Sequence, residues 1–363
     1  MSLKSNLPNL QENVSLANHT TFRIGGAARY FCVAKDRDEF LAAARAAKEK
    51  NISLFVLGGG SNLLVADEGF GGLVIKNQIS KTKYRKENGM LKIFCDTGVP
   101  LTKIILETTR QGYSGAEWGF GIPGTIGGAI YGNAGRLGQA IAQVVESVRA
   151  MDKNLNEKEI SATECEFGYR GSRFKKTGEI ILNATLVFGK KDKSLIEQVL
   201  NKAKEVIKHS PPFPSAGCIF KNYTVRTEGV PPSEVFRSRP PTPTLPFGRR
   251  PSLKTSLGGA TENTDPLLKN HPELVGRVRG GHAERGQSPD QLGGKIGVGY
   301  LIDQCGLKGK KSGGAQIWEG HANYIVNTGG AKAKDVLALI ELCKETVKEK
   351  FAINIEEEVR FLG

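Results

Sequence analysis

The residues best suited to hold a ligand are two glycine-rich loops. Ile52 to Leu57 is a short apolar run that reads as a buried strand. It leads into Gly58-Gly59-Gly60-Ser61-Asn62 and then into a second strand-like run, Leu63-Leu64-Val65. Consecutive glycines let several backbone N–H groups turn toward one anion with no side chain in the way, and Ser61 and Asn62 add donors. The chemistry this suits is the cradling of a diphosphate. The spacing is not G-x-G-x-x-G and a strand follows rather than a helix, so the loop is not of the Rossmann type. On its own, a glycine triplet reads equally well as a hairpin turn.

The second loop shifts that balance. From Gly119 the chain reads GFGIPGTIGGAIYGNAG, seven glycines in 17 residues. Thr125 is placed to cap a helix on which Gly128 and Gly132 expose bare backbone one turn apart. Tight helix packing accounts for this stretch alone, whereas a long planar cofactor lying along both loops accounts for the two together.

The elements that must position these loops are legible from periodicity. Asp36 to Asn51 is a helix, with Asp36 as cap, Glu39 completing a capping box, and Phe40, Ala44 and Ala47 on one face. Pro100 to Arg110 is a second, with Leu101, Ile104, Ile105 and Thr108 aligned. Ser194 to Lys208 aligns Leu195, Val199, Ala203 and Val206, and Lys332 to Phe351 aligns Val336, Ile340, Cys343 and Val347. Between them lie β-branched runs such as Ile180 to Phe188 and Tyr324 to Val326. The mixture is α+β, without strict βαβ alternation.

At 363 residues the chain fits two or three domains. The first 22 residues lack the features of a secretory signal, and no run of about 18 apolar residues occurs, so a cytoplasmic protein is expected. Six scattered cysteines, with no Cys-x-x-Cys pair and no clustered histidine, suggest neither a metal site nor a disulfide framework. The net charge of +14 is dispersed along the chain rather than gathered in one tract. That favours a solvated basic surface with local anion-binding spots over a nucleic-acid partner. Residues 223 to 294 stand apart, with ten of the sixteen prolines and no apolar period. They read as a mobile excursion with one short helical piece around Asp265 to Leu274.

Several ordered motifs together resemble the UDP-N-acetylenolpyruvoylglucosamine reductase (MurB) family. They are Thr21-Phe22-Arg23-Ile24-Gly25-Gly26, the GGGSN loop, IPGTIGGA, and Phe167-Gly168-Tyr169-Arg170-Gly171-Ser172-Arg173-Phe174. The likeness continues through Pro214 to Asn222, Gly313-Gly314-Ala315-Gln316, His321-Ala322-Asn323, and Glu358-Val359-Arg360-Phe361. It covers nearly the whole chain except 223 to 294, which then reads as an in-frame insertion.

The resemblance implies an FAD-binding domain of the vanillyl-alcohol-oxidase/PCMH type over 1–190. A smaller α/β substrate-binding domain would span 191–350, and a C-terminal segment, 351–363, would carry a catalytic glutamate. It implies that NADPH reduces FAD, and that the reduced flavin delivers hydride to the enolpyruvyl group of a UDP-sugar, giving UDP-N-acetylmuramate for peptidoglycan synthesis. The cofactor residues would be Arg23, Gly25, Gly58, Gly59, Gly60, Ser61, Asn62, Pro123, Gly124, Thr125, Gly127 and Gly128. No obligate protein partner and no metal are expected.

Arg170 matches the family's catalytic arginine, whose planar fork suits a substrate carboxylate; elsewhere it would read as a surface ion pair. Glu358 matches the catalytic glutamate, and beside an anion it favours its neutral form. Cys218 stands where many members have a proton-donating serine. A thiol can do this unless nearby cations convert it to thiolate; elsewhere it would be an inert buried cysteine. Tyr169, Lys221, Asn222 and Gln316 fall by motif near the substrate, or are hydrogen-bonded loop residues, and His321 reads as structural. Two other readings stay open here: a different oxidoreductase on the same flavin domain, and an inactive basic binding protein.

Overall fold

The computed structural model describes residues 7, 9–225, 270–277 and 294–363. The first sheet has the order Gln11–Ser15, Ala27–Ala34, Phe70–Asn77, Leu54–Leu57. Its last three strands are parallel, and Gln11–Ser15 is an antiparallel edge. Helix Arg37–Glu49 makes the crossover and buries Phe40, Ala43, Ala44 and Ala47 with Leu73 and Ile75. Asp36 accepts from Glu39 N at 2.9 Å, as a cap should. Glu39 returns its bond one residue earlier than a capping box does, to Lys35 N at 2.7 Å.

A six-stranded antiparallel sheet follows, running Glu157–Ser161, Val145–Met151, Ile180–Lys190, Met90–Asp96, Thr82–Glu87, with Tyr113–Ser114 on the end of the long strand. Helices Leu101–Arg110 and Ile126–Gly132 share its apolar core, and the aligned set Leu101, Ile104, Ile105 and Thr108 is buried. The third sheet is antiparallel, ordered Ser215–Cys218, Tyr324–Asn327, Ala315–Ile317, Lys311–Ser312. It is backed by helices Ala333–Phe351 and Val298–Gln304. Phe22, Ile24 and Leu64 belong to this third core, so the first glycine loop is anchored in both the first and third units.

Two expectations change. Helix Lys193–Lys208 buries Ile196 and Ala203, with Val199 and Leu200 partly buried, while Leu195 and Val206 are 44% and 38% exposed. The apolar stripe on this helix is wide, and its sheltered half lies one residue step around from the predicted face, toward Ile207, which closes over Gly121. The excursion is also more firmly rooted than its composition suggests. Tyr223–Thr224 pairs with Lys295–Ile296, and Val225 N donates to Gly294 O at 2.8 Å. Of the helical piece expected at Asp265 to Leu274, residues 265–269 lie outside the described residues, Asn270 is helical, and a 3₁₀ turn, Pro272–Arg277, follows, with Leu274 only 1% exposed in the third core. The rest of 223–294 lies outside the described residues.

Candidate active site

The two glycine loops back directly onto each other. A Cβ on Gly59 would lie 2.8 Å from Gly124 Cα, closer than any side chain tolerates. Gly60 has φ +65° and turns under His19 O. Ser61 Oγ donates to Pro123 O at 2.8 Å, and Gly58 sits against Thr125. Gly25 packs on Val65, Gly127 on Thr97, and Arg23 O accepts from Asn327 Nδ2 at 3.3 Å. Most of the predicted cofactor glycines therefore serve first to bring backbones together.

An open face remains. Thr125 Oγ1 caps helix Ile126–Gly132 by accepting from Gly128 N at 3.4 Å. A Cβ on Gly128 would meet only that oxygen, at 3.8 Å, and one on Gly132 would meet nothing within 4 Å. Backbone locked from behind and bare in front fits a large planar cofactor.

The loop carrying Arg170 is tied to the end of that helix. Asn133, left-handed at φ 43°, closes the helix, and its Nδ2 donates to Gly168 O at 2.8 Å. Ser172 Oγ donates to Tyr131 O at 2.8 Å. Gly168 and Gly171 exchange backbone bonds, and the turn they close holds Arg170 at φ +53°, with Lys175 Nζ donating to Arg170 O at 2.7 Å. A non-glycine residue in this region stores strain that the surrounding bonds must offset.

Glu358 arrives from the other end of the chain. Its N–H donates to Ile219 O at 2.7 Å, and Asn62 Nδ2 donates to its carbonyl at 3.0 Å. Beyond it, Arg360–Leu362 runs parallel to Leu63–Val65. Glu358 Oε1 lies 2.5 Å from Arg170 Nε, but off the N–H axis, and this buried Nε has no aligned acceptor among the described residues. Burial raises the pKa of Glu358 and is partly opposed by Arg170, Lys175 and Lys221.

Cys218 completes the group from the third sheet, directly opposite Tyr324. Burial and the Glu358 charge push its thiol up to about 11, outweighing Arg170 and Arg136. The expected hazard of a resting thiolate is therefore removed by desolvation.

Of the four predicted substrate residues, three flank this corner. Tyr169 Oη accepts from Asn222 N at 3.1 Å, and Asn222 Oδ1 accepts from Val298 N at 3.4 Å. Lys221 pairs with Glu356 at 2.9 Å. Gln316 lies two strands from Cys218, and its amide donates to Gly309 O at 3.4 Å. It has no hydrogen bond to Arg170, Cys218 or Glu358 among the described residues. His321 accepts from Asn323 N at 3.2 Å, a structural role.

Sequence reasoning missed Arg136, Lys175 and Tyr324. Arg136 and Tyr324 act electrostatically on Cys218, and Lys175 on Glu358. No local signal marks Arg136 or Tyr324, while Lys175 follows the Arg170 motif by one residue. Among the described residues no cluster of metal-ligating side chains occurs, and no helix is long and apolar enough to cross a membrane.

Residues 207–362 match the family model described as UDP-N-acetylenolpyruvoylglucosamine reductase, C-terminal domain, and residues 28–155 match the FAD binding domain. A protein of *Chlamydia felis* named UDP-N-acetylenolpyruvoylglucosamine reductase is 33% identical over 358 residues, covering 97% of this chain and 94% of its own. One of the same name from a *Synechococcus* species is 31% identical, covering 98% and 91%. The crystal structure of UDP-N-acetylenolpyruvylglucosamine reductase from *Thermus caldophilus* is 28% identical with a TM-score of 0.65, covering 98% of this chain and 100% of that one.

Proposed function

The chain belongs to the UDP-N-acetylenolpyruvoylglucosamine reductase family, and on that premise we propose that it reduces the enolpyruvyl group of UDP-N-acetylglucosamine enolpyruvate to UDP-N-acetylmuramate at the Arg170–Cys218–Glu358 corner. FAD, reduced by NADPH, supplies the hydride. The paired glycine loops Gly58–Asn62 and Pro123–Gly128, with Arg23 and Gly25, hold FAD. The domain division is 1–190 for FAD, 191–350 for substrate and 351–363 for the catalytic carboxylate, and the enzyme works in the cytoplasm on soluble sugar nucleotides.

One observation carries this reading: a guanidinium, a neutral thiol and a proton-favouring carboxyl converge from three distant parts of the chain beside a glycine cradle. Arg170, whose Nε lacks an aligned acceptor, grips the substrate carboxylate and stabilises the negative charge that enters it. Glu358, its pKa raised by burial, takes up a proton more readily than a surface carboxyl when the substrate carboxylate arrives beside it, and fixes that group's orientation. Cys218 gives its proton to the neighbouring carbon. Lys221, Tyr169 and Asn222 line the approach for the nucleotide diphosphate, and Gln316 contacts the more distant part of the substrate.

The test is anaerobic reduction of the yellow holoenzyme with NADPH, followed by the enolpyruvyl sugar nucleotide. Wild type should reoxidise its flavin, Cys218→Ser should retain substantial turnover, and Cys218→Ala should reduce normally but not reoxidise. Failure of wild type to reoxidise would sink the proposal.

A further inference from the structure

We propose that Tyr324 is a positioning residue for proton transfer: its hydroxyl holds the Cys218 thiol toward the substrate and stabilises the thiolate left behind. This rests on Cys218 being the proton donor.

Cys218 and Tyr324 are direct cross-strand partners in the antiparallel pair Ser215–Cys218 and Tyr324–Asn327. Such partners project from the same face with Cβ atoms about 4.5–5.5 Å apart. The Tyr324 ring is held edge-on by Trp318, centroids 6.1 Å apart, and by His321 at 5.4 Å. Its backbone is fixed as well, with N donating to His321 O at 3.0 Å and O accepting from Trp318 N at 2.9 Å. So constrained on the strand opposite Cys218, the hydroxyl lies near enough to the thiol to act on it electrostatically.

The need for such a donor follows from the surroundings. When the S–H bond of Cys218 breaks, its proton forms a C–H bond on the substrate carbanion and the electron pair stays on sulfur. The new thiolate is half-buried beside Glu358, with Arg170 and Arg136 as the facing cations. Arg136 is partly committed, its Nη1 donating to Phe120 O at 3.1 Å. Tyr324 adds a directed hydrogen bond to sulfur. Burial pushes the phenol up to about 12, so Tyr324 is protonated at neutral pH and can donate. The thiolate recovers a proton from solvent after product leaves.

Tyr324→Phe keeps the ring contacts and removes only the hydroxyl. In the holoenzyme, flavin reduction by NADPH should stay within about twofold of wild type. Substrate-driven reoxidation should slow about 10- to 100-fold, the range for a hydrogen bond to a charged group. Because the hydroxyl stabilises the thiolate, its loss raises the thiol pKa, and the alkaline limb of the reoxidation rate should move to higher pH. Equal slowing of both half-reactions or an unshifted alkaline limb would each overturn the role of Tyr324. Wild-type reoxidation by Cys218→Ala alone would overturn the proton-donor reading beneath it, and is a separate result.

Discussion

Asn62 Nδ2 donates to the carbonyl of Glu358 at 3.0 Å, across 296 positions of sequence. The same loop accepts from Arg360 N at Asn62 O, 3.1 Å away. A residue expected to contact the cofactor thus also helps to set the position of Glu358. Asn62→Ala should lower stability by about 1 kcal/mol, the usual net value of one hydrogen bond. Its larger effect should be on reoxidation by substrate, slowed at least tenfold, a loss of about 1.4 kcal/mol of transition-state stabilisation. Stopped-flow flavin absorbance separates the two half-reactions, and an unaltered reoxidation rate would show that Glu358 holds its place without Asn62.

The glycines of the two loops should divide by what faces them. Gly59→Ala drives a methyl to 2.8 Å from Gly124 Cα, and overpacking of this kind costs about 1–3 kcal/mol. It should lower the Tm of the apoprotein and deplete bound flavin. Gly132→Ala meets nothing within 4 Å, so the apoprotein should be as stable or slightly more so, by up to about 1 kcal/mol, while FAD affinity falls because the methyl occupies the cofactor's side. Flavin titration against apoprotein, paired with thermal melts, reads both. Equal flavin affinity for Gly132→Ala and wild type would move the cofactor off this face.

Alkaline stability should follow the buried thiols. Cys95, Cys165 and Cys343 are pushed up to about 12 by burial, Cys32 and Cys218 to about 11, against about 8.5 in an unfolded chain. Folded values above the unfolded value mean that the fold favours the protonated thiol. That contribution is complete below about pH 8.5 and is lost as pH rises through 11 to 12, at up to about 1.4 kcal/mol per pH unit for each thiol. Tm should be flat from pH 7 to 8.5 and fall steeply above it, and Cys343→Ala should make the fall shallower. A melt unchanged up to pH 10.5 would mean the thiols are not sealed.

The excursion should be removable in part. Its ends meet in the ribbon of Tyr223–Thr224 with Lys295–Ile296, so a short linker can replace much of what lies between. Deleting 226–264 should preserve both Tm and turnover. Deleting 226–292 also removes Leu274 from the third core, and the cavity should cost about 2–5 kcal/mol. Two deletion variants with the same Tm would show that Leu274 contributes little.

What the sequence reveals follows the range of the interaction. The cap at Thr125, the strand before Gly58 and the buried face of Ala333–Phe351 are set by neighbours three or four residues away, and these were legible. Arg170, Cys218 and Glu358 have no local signature and were legible only through ordered motifs. Arg136 and Tyr324 could not be found at all, because Tyr324 meets Cys218 through strand pairing between distant segments and Arg136 acts on it from another distant part of the chain. Leu195 and Val206 misled because periodicity locates an apolar stripe but not which edge of it a neighbour covers.

The parallel pairing of Arg360–Leu362 with Leu63–Val65 also fixes an order of events. Chains emerge from the ribosome N-terminus first, so both glycine loops, the Arg170 turn and Cys218 exist before Glu358 is made. The strand that leads out of the first glycine loop stays unpaired until the C-terminal strand docks, and Phe22, Ile24 and Leu64 wait for the third core. The last residues made thus complete both the support of the loop and the meeting of Glu358 with Arg170.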